Sequence, residues 1–62
     1  MFNIYCKAIE SSDTYGINKG GIYQGIYDEG KDNFCVTTGY DNIICNYNGF
    51  KQFFKMISAE KI

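Results

Sequence analysis

Ile17-Asn18-Lys19-Gly20-Gly21-Ile22-Tyr23 reads as a turn that releases straight into a strand, and the rest of the chain can be organised around it. Asn, Lys and paired glycines give the backbone the freedom a tight reversal needs. The strand that follows, Gly21 to Asp28, has the β-branched and aromatic side chains that strands favour. It is apolar on both faces, with Ile22 and Ile26 on one and Tyr23 and Tyr27 on the other. Gly25 interrupts it. A glycine inside a strand implies a bulge, a bend or a close backbone approach. A bulge or bend that swings Ile26 inward beside Tyr23 is the expected arrangement.

Upstream, Phe2 to Glu10 alternates with period two. Phe2, Ile4, Cys6 and Ala8 form the expected core face, and Asn3, Tyr5, Lys7 and Ile9 face out. Glu10-Ser11-Ser12-Asp13-Thr14 begins a long connection, from which Tyr15 and Ile17 are expected to fold back over one end of the sheet.

Downstream, Asp28-Glu29-Gly30-Lys31-Asp32-Asn33 is a charged loop, read as a solvated turn. Phe34 to Thr38 and Ile43 to Tyr47 then form a hairpin around Gly39-Tyr40-Asp41-Asn42. A four-residue turn sets Thr38 opposite Ile43 and Val36 opposite Cys45, with Cys45 inside and Cys35 outside. A turn over Thr38 to Asn42 would instead set Cys35 opposite Cys45. Phe50, Phe53 and Phe54 recur at helical spacing, so Asn48 is expected to cap a single 3₁₀ turn. Phe54 to Ser58 forms the fifth strand, with Phe54 and Met56 inward, and Ala59 to Ile62 frays. The expected fold is all-β, a small closed barrel in one domain over residues 1–62.

The composition suits that size. A chain of 62 residues lies near the lower limit for a single core, and six Tyr with five Phe supply much buried area per residue. No run approaches the ~18 apolar residues of a membrane span. Met1-Phe2-Asn3-Ile4 lacks the basic start and apolar core of a secretion signal, so a cytoplasmic protein is expected. Six lysines, no arginine and seven carboxylates leave neither a basic stripe for phosphate tracking nor the acidic face of a DNA mimic. Three cysteines, Cys6, Cys35 and Cys45, come without histidine or close pairing. That pattern argues against zinc and against a disulfide framework. Cys6 and Cys45 read as small core hydrophobes.

Cys6-Lys7-Ala8-Ile9 resembles a first-strand Val-Lys-Cys-Ile pattern. Ile17, Gly20 and Tyr23 match the Leu, Gly and Tyr of a Leu-Thr-x-Gly-Lys-x-Tyr turn, Phe34 with Val36 matches a Tyr-x-Ile strand, and Phe50 to Phe54 matches a Lys-x-x-Phe ending loosely. On these residues the chain resembles small SH3-like β-barrels encoded by phages and prophages of low-GC bacteria. The resemblance implies a five-stranded SH3-like barrel with a short 3₁₀ turn before the last strand, and a bacterial host cell. Gly21 stands where that pattern has Lys, so no role for the Lys carries over, and no activity is implied.

Catalysis is not expected. There is no histidine to activate Cys or Ser and no phosphate-cradling glycine loop before a helix, and no cofactor is implied. Tyr5, Tyr27, Tyr40 and Tyr47, with Tyr15 or Phe53, are expected to turn aromatic faces outward, where tyrosines make good anchors for a protein partner. The expected function is a non-enzymatic binding module that docks on a host or phage protein and modulates it, an anti-defence inhibitor being one form. A weak single-stranded nucleic-acid binder using Lys7, Lys51 and Lys55 is the second reading, and a self-associating structural protein or homodimer the third.

Overall fold

A computed structural model describes residues 1–39 and 41–62 of the chain. Five antiparallel strands and one short helix follow in the order β1 (Phe2–Ala8), β2 (Ile22–Asp28), β3 (Asn33–Thr37), β4 (Asn42–Cys45), α1 (Tyr47–Phe53) and β5 (Phe54–Lys61). The strands form one sheet ordered β4-β3-β2-β1-β5. The first four make a meander, and α1 then carries the chain back so that β5 pairs with β1. No ladder joins β4 to β5 among the described residues, so the sheet is open and α1 spans the gap where a barrel would close.

The core follows from period two on the strands and from the helical spacing of the phenylalanines. Ile4, Cys6 and Ala8 of β1, Phe34 and Val36 of β3, Phe50 of α1 and Phe54 of β5 are buried together with Ile17. The rings stack in series. Their centroids are 4.2 Å apart for Tyr27 and Phe34, 4.1 Å for Phe34 and Phe50, and 5.4 Å for Phe50 and Phe54. Tyr23 meets Phe54 edge-on at 6.0 Å. Each such pair adds about 0.5–1.5 kcal/mol beyond the area it buries.

The turn before β2 is closed by the Gly21 amide donating to the Asn18 carbonyl at 2.9 Å, with Gly20 at φ 87°, a left-handed conformation that glycine adopts without penalty. The Tyr23 hydroxyl reaches back over this turn. It accepts from the Asn18 amide at 2.8 Å and donates to the Gly16 carbonyl at 3.5 Å. A bridge between Ser12 and Ile17, with both bonds at 2.9 Å, folds the long connection on itself and drives Ile17 into the core. Tyr15 stays 43 % exposed, so only one of the two residues expected to fold back is buried.

Gly25 is explained by close approach. It lies between Ile4 and Val36 in an uninterrupted register, and a Cβ built there would stand 2.5 Å from the Cys35 carbonyl oxygen. β2 therefore has no bulge, and Ile26 stays on the outer face, 39 % exposed, while Tyr27 joins Tyr23 against the core. The irregularity falls instead in β5, where Tyr5 pairs with Ser58 but Cys6 pairs with Met56, leaving Ile57 as the extra residue. Met56 is 36 % exposed, so of the inward pair expected in β5 only Phe54 is buried.

Other expectations shift as well. The third hairpin pairs Val36 with Ile43, Cys35 with Ile44 and Phe34 with Cys45, two residues away from the first expected register and one from the second. The first differs by an even number, so Cys45 still faces in and Cys35 out. All three cysteines are free. The cap is Asn46, whose side chain accepts from the Gly49 amide at 2.9 Å, and the turn is a seven-residue α-helix that takes Tyr47 out of the fourth strand. Ala59 to Lys61 pair with Phe2 to Ile4 and extend β5 through most of the end expected to fray.

Candidate functional site

β4 is short because Asn46 caps a helix straight after it. That shortness leaves a free edge. The Thr38 amide donates to the Asp41 carbonyl at 2.9 Å and closes the hairpin as a bonded pair. Bonded and non-bonded pairs alternate in an antiparallel ladder, so Val36–Ile43 and Phe34–Cys45 are bonded, and the amide and carbonyl of Ile44 point away from β3. The Asn42 amide is occupied by the Asp41 carboxylate at 2.8 Å.

Beside this edge lies a pocket of about 220 Å³. Ile17, Ile43, Phe53 and Phe54 give it apolar walls, and Tyr15 and Gln52 stand at its margin. It is the seam left by the unclosed sheet, between β4 and the Gly49, Gln52 and Phe53 side of α1. The opposite edge, β5, is built differently. It carries Lys55, Glu60, Lys61 and the Ile57 bulge, features that discourage a further strand. β4, Asn42-Ile43-Ile44-Cys45, has neither charge nor bulge, and Ile44 is 68 % exposed.

The other side of α1 borders a second cleft, of about 330 Å³, lined by Ile9, Tyr47, Phe50, Lys51, Phe54, Lys55 and Met56. The Lys51 ammonium sits 5.2 Å from the centre of the Tyr47 ring. The helix start is held from the β2–β3 loop, where the Asp32 carboxylate accepts from the Tyr47 amide at 3.3 Å. This gives one member of the acidic loop a structural role that composition did not reveal.

Of the tyrosines expected to bind a partner, Tyr27 and Tyr47 both pack against the ring of Phe34, at 4.2 and 6.4 Å, whereas Tyr5 stands apart from them. Tyr5 is exposed on the outer face, in a row with Gln24, Thr37 and Asn42. Tyr47 is exposed on the first turn of α1. Tyr27 is only half exposed, stacked on Phe34 and 6.5 Å from Phe2. Its hydroxyl titrates above the ordinary tyrosine range, first through desolvation and then through Asp32, Glu29 and Asp28. Tyr40 lies outside the described residues. A second outer-face row, Ile26–Cys35–Ile44, is apolar and ends on Ile44 at the free edge.

Phe53 and Tyr15 line the seam and were legible as outward aromatics, whereas Ile43, Ile44 and Gln52 carried no sequence signal for a site. The thiols are placed for packing. Burial pushes Cys6 up to about 11, the facing Cys45 adding to it, and burial also raises Cys45. Among the described residues no three His, Cys, Asp or Glu side chains converge as a metal site, and no helix is long and apolar enough to cross a membrane. Comparison with protein-family models, with curated proteins and with solved structures finds no match for the chain.

Proposed function

We propose that this chain is a non-enzymatic protein-binding module of SH3-like kind, phage- or prophage-encoded, that takes an extended segment of a host or phage protein onto the free edge of β4 and so modulates that protein. The observation that carries the reading is the juxtaposition at the seam. An uncharged, unbulged strand edge runs beside an apolar pocket, so an added strand finds main-chain partners at Ile44 and a place for one apolar side chain against Ile17, Phe53 and Phe54. Main-chain pairing supplies affinity and the pocket supplies selectivity. The turn pattern around Tyr23 and the aromatic run before the last strand support the SH3-like part of the reading.

Selection from a displayed library of random peptides on the immobilised protein tests this, with Ile44→Pro as the discriminating variant. The Ile44 amide faces away from β3, so proline is tolerated there in the fold and blocks the added strand. Enriched apolar-anchored peptides should lose about tenfold or more in affinity on Ile44→Pro, with unchanged circular dichroism. Equal binding to both proteins, or no enrichment at all, rejects the reading.

A further inference from the structure

The cleft between α1 and the start of β5 is separate from the seam and differs from it in charge. Its lining has two charged residues, Lys51 and Lys55, and no carboxylate; Ile9, Met56 and Tyr47 stand partly exposed around the buried rings of Phe50 and Phe54. Lys55 is directly opposite Lys7 across the β1–β5 ladder. Like charges facing each other across a pair of strands destabilise the sheet. Among the described residues no carboxylate lies within ion-pair distance of Lys7, Lys51 or Lys55, and the ion pair present joins the terminal ammonium to Glu29. Two cations without a carboxylate partner therefore line an apolar cleft, with Lys7 across the ladder from one of them, in a chain whose net charge is −1.

We infer that this cleft is a second binding site, one that takes an acidic peptide segment with a single apolar or aromatic side chain seated over Phe50 and Phe54 and its flanking carboxylates on Lys51 and Lys55. Charge complementarity selects the occupant. Two cations at the rim match a pair of point carboxylates and are too few to give a phosphate backbone a continuous track. The site stands independently of strand addition at β4, because its lining shares only Phe54 with the seam.

The probe is a blocked tetrapeptide of three glutamates around one phenylalanine, titrated into the ¹⁵N-labelled protein. Its counterpart with glutamines for glutamates and an oligothymidylate serve as comparisons. Shifts are expected at the amides of Ile9, Tyr47, Lys51, Lys55 and Met56, weakening as salt is raised. Lys51→Gln and Lys55→Gln should each weaken binding about threefold and the double variant about tenfold, while Ile44→Pro leaves it unchanged. Both lysines are exposed, so the variants keep the fold, and Lys55→Gln should be slightly more stable than the parent because it removes the repulsion with Lys7. Absence of shifts at the cleft, equal binding of the glutamine peptide, tighter binding of the oligothymidylate, or shifts that track self-association each overturns the proposal.

Discussion

The two flanks of α1 share the ring of Phe54, yet they present opposite chemistry. One is bounded by a strand edge with free backbone groups and is lined by Phe53, Gln52 and Ile43, with no lysine. The other is bounded by the start of β5, an edge strand that carries charge and a bulge, and it presents Lys51 and Lys55 instead. Helix periodicity makes the division. Tyr47 and Lys51 are four residues apart and lie on one face, whereas Gly49, Gln52 and Phe53 fall on another. A helix of two turns thus separates a surface that offers hydrogen bonds from one that offers charge.

Phe50 is the residue that should abolish the distinction most completely. It stacks on Phe34 and Phe54 between the flanks, and Phe50→Ala should cost about 3–5 kcal/mol, read as a shifted urea midpoint. In so small a domain that loss removes both flanks together; a variant with parental stability would show that α1 is not a structural element. Gly25→Ala comes next. The added methyl meets the Cys35 carbonyl and the Val36 Cα at 2.5 and 3.1 Å, both backbone, so strands must separate at about 1–3 kcal/mol. Because the damage lies in the sheet that supports both sites, both should weaken alike.

Asn46→Ala removes the cap from the first turn of α1 and should cost about 1 kcal/mol. Fraying at that end loosens Tyr47 at the charged cleft and Gly49 at the seam before it reaches Phe53. Amide exchange at Tyr47 and Gly49 that rises without a rise at Phe53 is the expected pattern. The mildest perturbation is removal of a proton. Cys6 is raised by burial from 9.0 to about 11, so the folded state keeps its proton where the unfolded state has lost it. Stability is then complete below pH 9 and declines between pH 9.0 and about 11. Cys6→Ala should flatten this slope, and an unchanged slope would assign it to Tyr27, which is shifted in the same direction. In native protein a thiol reagent should modify Cys35 on the outer face before Cys45, and Cys6 last.

Much of the fold was legible because period two survives errors of register. A slip of two residues in the β3–β4 hairpin changed every partner and left every face as expected, so Cys45 still points in and Cys35 out. Gly25 was legible as an exception and ambiguous in kind, since bulge and close approach use the same missing side chain. Tyr47 was misplaced because Asn46 and Asn48 are equally good caps in sequence. The choice between them sets whether one turn or two of helix precede Phe54. Tyr5 and Tyr47 are exposed as expected, and Tyr27 was misjudged for a related reason. Tyr27 has the period of its strand, and the expected bulge would have turned it out, whereas a regular strand stacks it on Phe34.

Alternation of apolar and polar residues, together with glycine and asparagine at the reversals, was enough by itself to fix the number of strands, the inward faces of β1, β3 and β4 and the aromatic composition of the core. Closure was a different matter. Whether β4 meets β5 depends on where the chain leaves the fourth strand, and that point is set when Phe50 and Phe54 find Phe34 and α1 is drawn across the gap. Both sites flank that helix. They exist because packing between segments distant in sequence stopped the sheet from closing, a balance of contacts that no local pattern encodes.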